Sequence, residues 1–143
     1  MASLVLVREI MSKDVKVVRT DTTAQEIVAT MNKFDISSII VVQGERPVGI
    51  ITARDILVRL VEQCLAPGVL TAKQIMTSPL VTISESATIE EAARLMAKKK
   101  IKTLPVMDNN KLAGIVTFTD IVFKVPTLLS LLEELMRPYR RTY

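Results

Sequence analysis

The chain has 143 residues, 49% hydrophobic and 24% charged, enough apolar material for one compact unit or two small halves sharing a core, and far from the composition of a disordered chain. It has no His and a single Cys, Cys64, which excludes imidazole catalysis, His-ligated or multi-thiolate metal sites and an intrachain disulfide. A net charge of +4 fits an anionic partner or a merely basic solvated surface.

The opening Met1-Ala2-Ser3-Leu4-Val5-Leu6-Val7 is short for a secretory leader, and runs such as Ile39-Ile40-Val41-Val42 fall far below the ~18 residues that span a bilayer. With a lone free thiol, a cytoplasmic protein away from membranes is expected. Residues 15–18 form a short β-branched run, a predicted strand. Thr22-Thr23 then predicts a helix start, and Ala24, Ile27, Val28 and Met31 recur at the spacing of one buried helical stripe. Residues 39–42 and 48–51 read as strands joined by the polar turn Gln43-Gly44-Glu45-Arg46. A helix from about 54 to 65 closes this half, with Leu57, Leu60, Val61 and Cys64 on one apolar face. That face puts Cys64 in the core, and Ala66-Pro67-Gly68 stops the helix.

The same order then recurs. Residues 10–57 lie over 75–122 without a gap. The identical pairs include Ile10/Ile75, Met11/Met76, Thr23/Thr88, Glu26/Glu91, Met31/Met96, Val41/Val106, Gly49/Gly114, Thr52/Thr117 and Asp55/Asp120. The second half has a strand at 80–83 and a helix start at Ser86-Ala87-Thr88, followed by a stripe of Ile89, Ala92, Ala93 and Met96. Strands at 104–107 and 113–116 flank Asp108-Asn109-Asn110-Lys111. A helix beginning near Asp120 is interrupted before Pro126. A terminal helix from 127 to about 137 carries Leu128, Leu129, Leu132, Leu135 and Met136, a stripe that needs cover from the body, a second copy or a partner. The Arg137-Pro138-Tyr139-Arg140-Arg141 tail is a basic end or an anionic docking point.

The expected fold is α+β: two β-α-β-β-α repeats packed with pseudo-twofold symmetry, plus a C-terminal helix. Residues 7–66 form repeat 1, 67–74 a linker, 75–125 repeat 2, and 126–143 the terminal helix and basic tail. A repeat of roughly 60 residues is marginal alone, so the halves should pack together and leave two equivalent clefts, where a ligand is expected.

The sharpest matched element is a strand ending in Gly-h-h-Thr-x-x-Asp (h, apolar): Gly49-Ile50-Ile51-Thr52-Ala53-Arg54-Asp55 and Gly114-Ile115-Val116-Thr117-Phe118-Thr119-Asp120. One reading is a capping box, with Thr52 and Thr117 at N-cap answered by Asp55 and Asp120. The other is a carboxylate that accepts the two vicinal hydroxyls of a ribose, beside a hydroxyl and Arg54 that hold phosphate. The two do not exclude each other. Lys98-Lys99-Lys100 with Lys102 is a solvated cluster that complements a helix C-terminus, or part of a phosphate field. The scattered aromatics make nucleic-acid binding the weaker option.

These motifs, together with Ile10-Met11, Ile75-Met76 and Ile101-Lys102-Thr103-Leu104-Pro105-Val106, resemble a tandem cystathionine-β-synthase-type (CBS) domain, the CBS pair or Bateman module, over residues 7–125. The resemblance implies adenosine ligands (AMP, ADP, ATP or S-adenosylmethionine) in the clefts, homodimerisation, a regulated protein partner and no catalytic role, cofactor or metal. Carried over by position, cleft A would use Thr52, Arg54 and Asp55 with Ser78, Pro79, Leu80, Val81, Ile101, Lys102, Thr103 and Pro105. Cleft B would use Thr117 and Asp120 with Asp14, Val15, Lys16, Ile36, Ser37 and Ser38. Ser37 stands in for Lys102, Ile40 for Pro105 and Thr119 for Arg54, so cleft B should be weak, empty or selective for a less charged ligand. The rival function is a protein- or nucleic-acid-interaction module that keeps the scaffold without a physiological nucleotide. An enzyme is disfavoured by the missing His, the lone Cys and the lack of a G-x-x-x-x-G-K loop.

Overall fold

A computed structural model describes residues 4–124. The elements are α1 (Val7–Ile10), β1 (Val17–Arg19), α2 (Ala24–Phe34), β2 (Ser38–Gln43), β3 (Arg46–Thr52), α3 (Ala53–Ile56, continuing as a π-helical turn over Leu57–Val61), α4 (Ala72–Ile75), β4 (Ile83–Ser84), α5 (Ile89–Lys99), β5 (Thr103–Asp108), β6 (Lys111–Thr117) and α6 (Phe118–Lys124). They form two three-stranded sheets of one design, ordered β1-β2-β3 and β4-β5-β6. In each, the first strand is parallel to the second and the second pairs antiparallel with the third. The chain is α+β with two repeats, as its internal alignment predicts. The terminal helix expected over 127–137 and the basic tail lie outside the described residues.

Local chemistry explains the helices. Thr23 and Thr88 cap α2 and α5: each hydroxyl accepts from the amide of Glu26 or Glu91, and each glutamate carboxylate accepts from the threonine amide. Both helices end on a residue in the left-handed region, Asp35 at φ 51° and Lys100 at φ 56°. The buried stripes are Ala24, Ile27 and Met31 in α2 and Ile89, Ala92 and Met96 in α5. Val28 and Ala93, expected within those stripes, are exposed at their edges. Both hairpins turn through two residues, Gly44-Glu45 and Asn109-Asn110, where Gly44 and both asparagines have positive φ.

Two expectations are corrected. First, β1 and β4 start later than 15–18 and 80–83, because the chain before them is drawn across to the other half of the molecule. Second, the closing helix of the first half does not bury Leu57, Val61 and Cys64. Its π-helical turn bonds Glu62 N to Leu57 O and Leu65 N to Leu60 O, five residues apart, so the expected stripe is broken and Leu60 alone is buried. Leu57 and Val61 are 61% and 59% exposed. Cys64 is also exposed, with φ 56°, and it ends the helix ahead of Ala66-Pro67-Gly68.

The crossing segments join the halves. The core consists of two clusters, and each includes the segment that precedes the other repeat's first strand. Ala72 and Ile75 of α4 are buried with Ala24, Ile27, Met31, Ile39 and Ile51. Val7 of α1 is buried with Ile83, Ala92, Met96, Leu104 and Val116. Burial of a side chain such as Ile75 or Val7 contributes roughly 1.5–3 kcal/mol, so the exchange is stabilising on both sides. Backbone pairs repeat it: Thr77 bridges Ile50, and Ser12 bridges Ile115 at the equivalent position. Met76 lies against Gly49 and Met11 against Gly114, so close that a Cβ on either glycine would come within 2.5 or 2.6 Å of the methionine sulfur. That close approach accounts for the identical Met11/Met76 and Gly49/Gly114 pairs.

Candidate functional site

The two Thr-x-x-Asp motifs form capping boxes at the starts of α3 and α6. Thr52 N donates to Asp55 Oδ2 at 2.8 Å and Asp55 N to Thr52 Oγ1 at 3.3 Å. Thr117 N donates to Asp120 Oδ2 at 2.8 Å and Asp120 N to Thr117 Oγ1 at 3.2 Å. Capping fixes each carboxylate at the mouth of a cleft and leaves its second oxygen for other partners.

Cleft A is a cavity of about 700 Å³. Of the residues expected there, Thr52, Arg54, Asp55, Pro79, Val81, Ile101, Lys102, Thr103 and Pro105 line it. Ser78 and Leu80 do not. The segment bends at Pro79, and Thr77, Pro79 and Val81 line the cavity while the residues between them do not. Ser37, Ser38, Ile50, Ala53, Thr77 and Lys100 also line it, beyond the positional carry-over. Thr77 adjoins the Ser78-Pro79 pair carried over by position, and the basic cluster was the signal for Lys100. Ser37 and Ser38 reach both cavities, which only the tertiary fold reveals.

The walls of cleft A are apolar at Ile50, Pro79, Val81, Ile101 and Pro105. Arg54, Lys100 and Lys102 bring three cations to it, and among the described residues none lies within salt-bridge distance of a carboxylate. Among the described residues, Asp55 is the one acidic member of the lining. It is 13% exposed and stands 3.7 Å from Arg59 Nε. The site therefore offers an apolar slot, a fixed hydroxyl-accepting carboxylate and a surplus of positive charge.

Cleft B is smaller, about 280 Å³. Asp14, Lys16, Ile36, Ser37, Ser38, Thr117 and Asp120 line it as expected, together with Ser12, Asp35 and Ile115. Val15 does not, at the position equivalent to Leu80, which cleft A likewise leaves out. The repeat register makes the differences explicit. Asp14 and Lys16 occupy the places of Pro79 and Val81, and Asp35 occupies the place of Lys100. Lys16 does bring a cation to cleft B, but its ammonium is paired with Asp14 at 3.1 Å and lies 4.2 Å from the centre of the Phe34 ring. Cleft B thus has a charged pair where cleft A has apolar walls, and an acid where cleft A has a base.

Comparison with known proteins accounts for this arrangement. The family model of the CBS domain matches residues 7–62 and again 72–126. The chain belongs to the CBS domain family. An uncharacterised relative from Methanopyrus kandleri, MK0525, is 38% identical over 138 residues, which is 95% of this chain and 70% of that protein. The crystal structure of an uncharacterised conserved protein from Pyrococcus horikoshii superposes with a TM-score of 0.80 at 28% identity, covering 87% of this chain and 94% of that one. The CBS domain pair of protein MJ0100, solved in complex with 5′-methylthioadenosine and S-adenosyl-L-methionine, superposes with a TM-score of 0.77 at 29% identity, covering 85% of this chain and 96% of that one. Among the described residues of this CBS pair, no helix is long and apolar enough to cross a membrane.

Proposed function

We propose that this CBS pair is a non-catalytic sensor that binds an adenosine-containing ligand in cleft A. The observation that carries this reading is the conjunction, in one cavity, of the capped Asp55 carboxylate, the apolar walls around Pro79, Val81 and Ile101, and the cations Arg54, Lys100 and Lys102, which have no carboxylate partner among the described residues. A purine fits between the apolar walls, a ribose diol donates to Asp55, and phosphates meet the cations. The complex of MJ0100 with two adenosine compounds supports the ligand class. The cations favour AMP, ADP or ATP over the positively charged S-adenosylmethionine. Cleft B, with Asp14 and Lys16 in place of apolar walls, binds such ligands weakly or takes a less charged one.

The sensor acts in the cytoplasm as a homodimer with a regulated protein partner. Leu57, Val58, Val61 and Leu65 form an exposed apolar strip on α3 and its continuation, and Phe118 and Phe123 are exposed on α6; a second copy covers both. Ligand binding biases the partner interaction only through unequal affinity for two arrangements of the repeats.

Calorimetry with AMP, ATP and S-adenosylmethionine tests the reading. Asp55→Asn should remove most binding, and Asp120→Asn should matter less. Equal losses refute the ranking of the clefts. A melting temperature that responds to a short DNA duplex and to none of the adenosine compounds refutes the sensor and favours an interaction module.

A further inference from the structure

The carboxylate that cleft A offers to a sugar is already engaged. Asp55 Oδ2 accepts from Thr52 N at 2.8 Å and from Thr52 Oγ1 at 3.1 Å. Asp55 Oδ1 accepts from the Thr77 hydroxyl at 3.0 Å and faces Arg59 Nε at 3.7 Å. Each carboxylate oxygen offers two lone-pair sites, so Oδ2 is filled, Oδ1 keeps one site open beside Arg59, and an incoming diol that needs two acceptors must displace the Thr77 hydroxyl. Arg59 also donates through Nη1 to the Met76 carbonyl at 2.6 Å and lies 3.4 Å from that of Ile75. One guanidinium thus ties α3 to the crossing segment that supplies Thr77, Pro79 and Val81.

The Thr77 backbone is held separately from its hydroxyl. Thr77 N donates to Ile50 O at 2.8 Å, and Ile50 N donates to Thr77 O at 3.1 Å. The hydroxyl can rotate off Asp55 while the backbone stays paired. Cleft B has the same bridge, Ser12 with Ile115 at 2.9 Å in both directions, but not the same contact. Among the described residues, Asp120 accepts only from Thr117 N, through Oδ2, and nothing donates to its Oδ1. The contact belongs to cleft A and is not a general consequence of the fold.

We infer that Thr77 sets the affinity of cleft A: its hydroxyl stands in for a ligand hydroxyl on Asp55, held in place by Arg59, and a vicinal diol must displace it. The inference rests on the reading of cleft A as an adenosine site. A ligand with a diol makes two hydrogen bonds to Asp55 and breaks one; a ligand without hydroxyls leaves the Thr77 contact intact. Occupancy by a diol therefore frees Thr77, which connects the cleft to the segment running back into α4.

Calorimetric titration of the full chain with AMP and with 2′,3′-dideoxy-AMP tests this, using Thr77→Val, which removes the donor at nearly constant shape, and Thr77→Ser, which keeps it. The loss of one competing hydrogen bond should tighten AMP about fivefold in Thr77→Val. Thr77→Ser should bind AMP like the parent, and 2′,3′-dideoxy-AMP should bind all three alike. Unchanged or weakened AMP binding in Thr77→Val overturns the inference, as does an equal gain for the dideoxy compound. Asp55→Asn separates the two levels. If the parent chain does not prefer AMP over its dideoxy form, or keeps that preference in Asp55→Asn, the adenosine reading fails and takes the inference with it. If Asp55→Asn removes the preference and Thr77→Val does not tighten AMP, only the role of Thr77 fails.

Discussion

Alanine at Gly114 and at Gly49 should have unequal costs, although the two positions are equivalent in the repeat. A Cβ on Gly114 would stand 2.7 Å from the Ser12 carbonyl oxygen and 2.6 Å from Met11 Sδ. That oxygen accepts from Ile115 N at 2.9 Å, and Ser12 N donates to Ile115 O at 2.9 Å. Restoring ordinary contact at 3.4 Å requires the backbone to move by about 0.7 Å and strains both bonds of the bridge. Overpacking of this kind costs about 1–3 kcal/mol. Each strained bond adds a fraction of the roughly 0.5–1.5 kcal/mol it contributes when intact. Alanine recovers about 0.5–1 kcal/mol, because glycine is unfavourable within a strand. With mid-range values for each of these effects, the net cost for Gly114→Ala is about 2–3 kcal/mol. On Gly49 the Cβ would meet Met76 Sδ at 2.5 Å, Cγ at 2.9 Å and Cβ at 3.1 Å, all atoms of one flexible side chain. That side chain can turn away, so Gly49→Ala costs about 1 kcal/mol or less. Urea denaturation of both variants measures the difference. In a domain of this size about 1 kcal/mol corresponds to ~4 °C, so the melting temperatures should fall by about 8–12 °C and by about 4 °C or less. Equal losses, or a larger loss at Gly49, would refute the idea that a rigid carbonyl, rather than the methionine, makes the close approach costly.

Thr23→Ala and Thr88→Ala each remove a capping hydroxyl and should cost about 1 kcal/mol in the same denaturation assay; a neutral result at either would show that its box contributes nothing. Val61→Glu places a charge on the exposed strip beside Leu57, and sedimentation should show a shift from dimer to monomer with stability changed by less than about 0.5 kcal/mol. An unchanged mass would place the dimer contact elsewhere. Lys102→Ser gives cleft A the residue found at the equivalent position of cleft B. It should weaken ATP several-fold at low salt, less at high salt, and leave adenosine unaffected. A similar loss for adenosine would mean that Lys102 shapes the slot and does not meet phosphate.

Much of the architecture was legible without coordinates. Helical stripes and the starts at Thr22-Thr23 and Ser86-Ala87-Thr88 placed α2 and α5, and the polar turns at 43–46 and 108–111 placed both hairpins. The helix after β3 was legible in its place but not in its buried face. Periodicity assumes 3.6 residues per turn, and the π-helical turn at Leu57–Val61 breaks that assumption, so the expected stripe is exposed and Cys64 lies at the surface. The lining of the clefts was legible at the motif and less so around it. Ser78, Leu80 and Val15 were carried over by position in the family's pattern, which marks a segment but not which of its side chains turn inward.

The repeat register by itself determined that the molecule has two like halves, a capped carboxylate in each and more positive charge near Asp55 than near Asp120, because these follow from residue identity and spacing. Only the tertiary structure decided which partners those carboxylates meet. The crossing segments bring Thr77 and Ser12 to strands about 27 and 103 residues away in sequence (Ile50 and Ile115). No local pattern encodes such a contact, since it depends on how two buried clusters exchange their leading segments.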